Sequence, residues 1–186
     1  MKYCPDCGAL LVLREIEGRE RAFCPDCERI HYAQLKVGAG AIIERDGLLL
    51  LLRRTQAPFE GCWNLPAGYV ESDESPVEAV VRETYEETGL RVRVGRLVDV
   101  YFFDDDPRGN GILIVYACHH EGGELRVSAE GSDATFFLPA DIPLGLAGGG
   151  HDQAVSAWKV RVGGQPSTPF CRRKNERGSQ PSIRRR

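Results

Sequence analysis

The stretch that decides the fold runs from Gly68 to Leu90 and reads GYVESDESPVEAVVRETYEETGL. Its second half carries the signals of an α-helix. Ser75 can cap the start, Pro76 suits the first helical position, and Glu78 completes a capping box with Ser75. Gly89 can adopt the left-handed conformation that ends a helix. The stretch therefore predicts a helix between Ser75 and Gly89.

Three glutamates of this helix, Glu83, Glu86 and Glu87, are spaced i, i+3 and i+4, so their carboxylates share one face. Like charges so placed repel each other, and bound divalent cations would relieve that repulsion. Carboxylate oxygens suit Mg²⁺ or Mn²⁺, which also bind phosphate oxygens. The alternative is a solvated acidic face with no ligand. Four residues are expected to turn toward a core instead: Val77, Val80, Val81 and Thr84.

The same stretch resembles the Nudix box, G-x5-E-x7-R-E-U-x-E-E-x-G-U, in which U is a bulky aliphatic residue. All fixed positions match: Gly68, Glu74, Arg82, Glu83, Glu86, Glu87 and Gly89. Thr84 departs from the pattern, because the family prefers an aliphatic residue there. The resemblance implies an α/β fold, the Nudix α/β/α sandwich with a mixed sheet, and hydrolysis of a diphosphate linkage.

The resemblance also implies roles for individual residues. Glu83, Glu86 and Glu87 would hold Mg²⁺ or Mn²⁺, the Gly68 carbonyl would add a ligand, and Arg82 would orient Glu83. Glu74 would be a supporting carboxylate. Glu130 matches a position that adds a distant ligand or base in some members, although a lone Glu in a polar turn is more often solvated.

The expected substrate is a nucleoside diphosphate derivative, cleaved to a nucleoside monophosphate and a phosphorylated moiety. ADP-ribose leads, because Pro107 is similarly placed to a proline of ADP-ribose enzymes, while FAD and NADH remain alternatives. Arg53 and Arg54 end a predicted strand near the site and are candidate phosphate contacts. Two other functions stay open: a non-catalytic nucleotide-sensing or nucleic-acid-binding module, and a housecleaning nucleoside triphosphate pyrophosphatase.

Two Cys-Pro-Asp-Cys knuckles, separated by sixteen residues, predict a structural zinc site formed by Cys4, Cys7, Cys24 and Cys27. The segment between them, Leu10 to Phe23, alternates like a hairpin that turns at Gly18. The alternatives are coincidental cysteine pairs or a redox pair. A ribbon of this kind resembles the N-terminal zinc ribbon of one Nudix branch.

The 186 residues are expected to form a zinc ribbon (1–34), a Nudix domain (35–162) and a basic, disordered tail (163–186). The net charge of −3 divides unevenly, because the tail holds seven of the 24 Lys and Arg residues. No apolar signal segment is evident, which predicts a cytoplasmic protein with no membrane partner. Nucleic acid is not an expected partner, and a homodimer is left open. Five strands and a second helix are predicted: Val37–Glu44, Leu48–Arg53, Val92–Phe103, Gly111–His119, Ala134–Leu138 and His151–Val160.

Overall fold

A computed structural model describes residues 2–129 and 131–163. The chain divides into two compact units, residues 1–35 and the remainder from Lys36 onward. None of the helices in the described ranges is long and apolar enough to cross a membrane. Glu130 and the tail beyond Gly163, on which two predictions fall, lie outside the described residues.

The first unit is a three-stranded antiparallel sheet in the order β1-β2-β3. Its strands are β1 (Val12–Ile16), β2 (Arg19–Cys24) and β3 (Arg29–His31). The predicted hairpin is confirmed, because Ile16 pairs with Arg19 across a two-residue turn. Glu17 and Gly18 of that turn have φ of 55° and 71°, the left-handed values that a tight hairpin turn requires. The third strand was not predicted.

The second unit is built on a seven-stranded sheet in which five strands follow the order β10-β5-β4-β9-β8. Only β4 and β9 run parallel among these neighbours, so the sheet is mixed. Two short strands complete it, β6 against β5 and β7 against β4. The strands are β4 (Lys36–Arg45), β5 (Leu48–Arg54), β6 (Trp63–Asn64), β7 (Ala67–Tyr69), β8 (Arg91–Phe103), β9 (Gly111–Gly122) and β10 (Gly131–Phe137).

All five strands predicted for this unit are present, with small differences at their ends. The Asp46-Gly47 turn joins β4 to β5, with both residues at positive φ, as an Asp-Gly hairpin requires. The segment between β5 and α1 contains two strands that the sequence did not predict, β6 and β7. These strands are two and three residues long, too short to show an alternating pattern.

Helix α1 (Pro76–Thr88) begins and ends where the sequence predicts. Ser75 accepts a hydrogen bond from the Glu78 amide, the Glu78 carboxylate accepts one from the Ser75 amide, and Gly89 is left-handed with φ of 71°. The expected core face is partly wrong. Val80 and Thr84 are fully buried, but Val77 and Val81 are 43% and 39% exposed, because the strands packed on α1 cover a narrower side of it.

The sheet separates two hydrophobic cores, and alternation along the strands assigns residues to each. In β5, Leu49 and Leu51 join the core beneath α2 (His151–Arg161), whereas Leu50 joins the core beneath α1. Trp158 anchors α2 and is 1% exposed. The predicted α/β/α sandwich with a mixed sheet is confirmed, and it places the end of β7 directly beside α1.

Candidate active site

Arg82 is the centre of a hydrogen-bond network on α1. Its Nε and Nη2 donate to the two oxygens of Glu74 at 3.0 and 2.5 Å, a bidentate pair. Its Nη1 donates to Glu83 at 2.7 Å and to Glu86 at 3.2 Å. Its Nη2 also donates to the carbonyl of Tyr69 at 3.1 Å. One guanidinium therefore ties the carboxylates of α1 to the preceding loop and to β7.

This network changes the electrostatics expected from the helix alone. The bond from Arg82, aided by the backbone amide of Glu71, lowers the pKa of Glu74 to about 2, so this carboxylate stays ionised in mildly acidic solution. Glu74 in turn raises the pKa of Arg82. The repulsion predicted between Glu83 and Glu86 is offset, because the same guanidinium lies between them.

Gly68 and Glu83 approach each other closely. Gly68 pairs with Ala39 of β4. This pairing fixes the position of the Gly68 backbone beside α1. A Cβ atom at this position would overlap the Glu83 carboxylate at a separation that real side chains do not adopt. A side chain at residue 68 would therefore displace the Glu83 carboxylate. A metal ion bound by both the Gly68 carbonyl and the Glu83 carboxylate would need the two residues to lie this close together.

Glu86 and Glu87 differ in their surroundings. An oxygen of Glu87 accepts a hydrogen bond from the amide of Ala67 at 2.9 Å, which orients it toward β7. Glu86 is 56% exposed. Within residues 2–129 and 131–163, the carboxylates of α1 are not drawn into a tight ligand cluster. Their donor set nevertheless fits Mg²⁺ or Mn²⁺, because all donors are hard oxygens at one cleft.

That cleft has a volume of about 350 Å³, within the range that accommodates small-molecule ligands. Glu83, Glu86 and Glu87 form one wall of it together with Gly68. Gly38 lines the cleft as well, and a Cβ there would lie 3.4 Å from the Gly68 carbonyl. The absence of a side chain at Gly38 therefore leaves space beside the carboxylate wall.

Another part of the cleft carries positive charge. Arg108 is held by Asp106, which is buried and whose oxygens accept hydrogen bonds from it at 2.7 to 3.1 Å. Although burial acts against ionisation, these bonds keep the pKa of Asp106 below its usual value. The ring of Tyr69 lies 5.5 Å from the Arg108 guanidinium and 5.4 Å from the Lys36 ammonium. No local sequence signal predicts this cluster, because it joins β4, β7 and the β8–β9 loop.

The two candidate phosphate contacts are separated by the structure. Arg54 lines the cleft and its Nε donates to the Pro58 carbonyl at 3.1 Å. Arg53 is exposed and donates to the Gly61 carbonyl. It does not line the cleft. His151, at the start of α2, also lines the cleft. Burial, followed by the charge of Arg54, lowers the pKa of His151 to about 3, so its ring is neutral.

The ribbon brings its four cysteines together. Ligand atoms of Cys4, Cys7, Cys24 and Cys27 all lie within 4.8 Å of one another. Four thiolates converging on one point match a closed, structural zinc site. Of these residues, Cys4 also contacts His31, whose Nε2 lies 3.4 Å from its sulfur, so the imidazole can orient that thiolate.

Comparison with known proteins assigns both units. The NUDIX domain profile matches residues 34–158, and the Nudix N-terminal profile, a zinc ribbon, matches residues 2–33. The chain therefore belongs to the Nudix hydrolase family. A crystal structure of a NUDIX hydrolase from Nitrosomonas europaea is similar, with a TM-score of 0.73 and 31% identity over 91% of this chain and 97% of that one.

Curated relatives carry several names. An ADP-ribose pyrophosphatase of Methanocaldococcus jannaschii is 44% identical over 60% of this chain and 67% of its own length. A CTP pyrophosphohydrolase of Escherichia coli is 49% identical over 56% and 84%. An NAD-capped RNA hydrolase of Chromobacterium violaceum is 30% identical over 78% and 55%, so the chain spans about half of that relative.

Proposed function

We propose that this chain hydrolyses the diphosphate linkage of a nucleoside diphosphate derivative in the presence of Mg²⁺ or Mn²⁺, and that ADP-ribose is its preferred substrate. The observation that carries the proposal is the cleft itself. Its carboxylate wall, formed by Glu83, Glu86 and Glu87, and the cations Arg54 and Arg108 line one cavity. The M. jannaschii relative named for ADP-ribose supports the choice of substrate.

The reaction adds water across a phosphoric anhydride. Attack on one phosphorus breaks the bridging P–O bond, and ADP-ribose yields AMP and ribose 5-phosphate. A divalent cation at the carboxylate wall would neutralise diphosphate charge and lower the pKa of the attacking water. The water's proton passes to a carboxylate of α1. Arg82 holds Glu83 and Glu74 in place, and Arg54 and Arg108 bind phosphate oxygens.

The test is kcat/KM on ADP-ribose, NADH, FAD and CTP with Mg²⁺ or Mn²⁺, with products identified by mass. Running the reaction in ¹⁸O-labelled water shows which phosphorus is attacked, because the label appears in AMP or in ribose 5-phosphate. The control is the Glu86→Gln variant prepared identically, which detects contaminating phosphatases. We expect the highest kcat/KM for ADP-ribose and no turnover without a divalent cation.

Other outcomes select the alternatives. A higher kcat/KM for CTP would establish a nucleoside triphosphate pyrophosphatase, the function named for the E. coli relative. Tight nucleotide binding without turnover of any of the four compounds would establish a sensor. Turnover that persists in the presence of a chelator would contradict the role given to the carboxylate wall.

A further inference from the structure

The two faces of the ribbon sheet carry different charged residues. Cross-strand pairing places Arg14 opposite Arg21, and Glu15 opposite Glu20. Because side chains alternate along a strand, these two pairs point to opposite sides of the sheet. Arg19 lies two residues from Arg21 and shares its side. One face therefore holds three arginines. The other holds two glutamates and Arg29, which pairs with Cys24 across the strands and forms an ion pair with Asp6 at 2.9 Å.

Aromatic rings lie among the arginines. The Arg14 guanidinium lies 4.0 Å from the centre of the Phe23 ring, and that of Arg21 lies 4.7 Å from the centre of the Tyr32 ring. These contacts agree with the strand pairing for four side chains, and the position of Arg19 follows from the pairing alone. We name Arg14, Arg19, Arg21, Phe23 and Tyr32 the arginine face. No acidic residue of β1, β2 or β3 lies on it.

The arginine face remains accessible. Arg14 and Arg19 are exposed, Tyr32 is 57% exposed, and the Arg21 side chain is 22% exposed. Glu17 in the hairpin turn pairs with Arg21 at 3.6 Å, but Glu17 is itself largely exposed, so this pair is weak in water. A guanidinium stacked on a ring keeps its N–H edges free for hydrogen bonds and loses little freedom when it binds an anion.

We infer that the arginine face binds single-stranded nucleic acid. Residues two apart on a strand are separated by about 7 Å, comparable to the spacing of successive phosphates in an extended strand, so Arg19 and Arg21 can contact neighbouring phosphates. The exposed ring of Tyr32 can stack on an unpaired base. Paired bases would not reach that ring, which favours a single strand over a duplex.

The sequence did not reveal this surface, because its members are spread from residue 14 to residue 32 and alternate with acidic residues. Only the register of the sheet sorts them by charge. The inference is independent of the nucleotide hydrolysis proposed above. It concerns a different unit of the chain and requires no residue of the cleft.

The experiment measures binding of the full chain to a fluorescein-labelled, unstructured 12-nucleotide RNA by anisotropy between 50 and 200 mM salt. The variant replaces Arg14, Arg19 and Arg21 with Gln. The matched control replaces Arg184, Arg185 and Arg186 with Gln, which removes the same charge from the tail. We expect the ribbon variant to weaken binding roughly tenfold and to reduce the salt slope by about 2, as the loss of three phosphate contacts requires.

Further arms separate the sources of affinity. Tyr32→Leu should weaken binding at every salt concentration without changing the slope, because it removes stacking and no charge. A DNA strand of the same sequence shows whether the sugar contributes. Hydrolysis of the small nucleotide substrate should be unchanged in all ribbon variants, so failure of this inference can be distinguished from failure of the proposed function.

Two results would overturn the inference. One is a loss of affinity in the tail control equal to that in the ribbon variant, which would reflect charge alone. The other is a ribbon variant whose affinity for RNA and for polyglutamate falls by the same factor, together with a Tyr32→Leu variant that binds RNA as the parent does. That pair of results would indicate a general anion-binding surface. If the triple variant loses its ribbon to limited proteolysis, Arg19→Glu replaces it, with Arg184→Glu as its control, because Arg19 is exposed and lies beside the turn.

Discussion

Replacement of Gly68 by alanine tests the arrangement of the active site with a single methyl group. Gly68 lies on β7, and its neighbour Ala67 is paired with β4, so the backbone cannot move away without breaking sheet hydrogen bonds. The added Cβ would occupy the position of the Glu83 carboxylate. The carboxylate must therefore move, and Glu83 is the residue that the change displaces.

The size of that displacement follows from ordinary contact distances. Non-bonded atoms approach to about 3.5 Å, so the Glu83 carboxylate must shift by more than about 1 Å. Such a shift breaks its 2.7 Å hydrogen bond from Arg82. Misplacement of about 1 Å at a reacting centre can reduce turnover roughly 100-fold. The cost in unfolding free energy should be about 1 kcal/mol, the low end for an added methyl group, because a side chain on a helix can swing outward.

The assay compares kcat and the urea midpoint of Gly68→Ala with those of Gly145→Ala. Gly145 is a matched control, since a Cβ there has no heavy atom within 4 Å. We expect Gly145→Ala to keep full activity and Gly68→Ala to lose about two orders of magnitude in kcat with little loss of stability. If Gly68→Ala retains kcat within threefold, the approach of Gly68 to Glu83 has no part in catalysis.

Three further predictions concern the carboxylates and the ribbon. Glu86→Gln and Glu87→Gln should each reduce kcat by orders of magnitude, because each removes a negatively charged metal ligand. The urea midpoint should change little, since an amide oxygen at residue 87 can still accept the hydrogen bond from the backbone. If both variants keep the parental activity, the carboxylates of α1 form only a solvated acidic face. Because Arg82 lowers the pKa of Glu74 from 4.5 to about 2, the stability from this pair is complete above pH 4.5 and is lost as the pH falls toward 2. Glu74→Gln should therefore lower the urea midpoint at pH 7 and flatten its decline below pH 4.5, and an unchanged acid limb would contradict this. Cys24→Ser should release one Zn²⁺ per chain by metal analysis and expose the ribbon to protease, whereas a metal-free parent with a protease-resistant ribbon would refute the zinc assignment.

Much of the fold and part of the site could be predicted from local sequence. Helix α1 is bounded correctly because Ser75, Glu78 and Gly89 satisfy its end groups through bonds to residues close in the chain. The Asp46-Gly47 turn is set in the same local way. The cysteine spacing predicted the ribbon, because two knuckles supply four thiols to one metal ion. This ligand set does not depend on the path of the hairpin between the knuckles.

Other features depended on contacts between distant segments. Helical periodicity placed Val77 and Val81 on the apolar side of α1, but both are partly exposed. The residues of α1 that are buried are Ala79, Val80, Thr84 and Thr88. His151 and Arg108 reach the cleft from separate parts of the chain, so no spacing in the sequence relates them to Glu83. The role of Arg82 as a bridge among several carboxylates likewise requires the position of the loop before α1.

By itself the sequence determined the family, the helix that carries the carboxylates and the cysteines of the ribbon, because each depends on hydrogen bonds or ligand spacing within a short segment. The tertiary structure alone decided which residues face the cleft, how Arg82 shares its five donors, and how the ribbon sorts its charges. The physical reason is the register of the two sheets. A strand that slips by one residue exchanges its faces, so strand pairing, and not composition, places Gly68 against Glu83 and Arg14 beside Arg21.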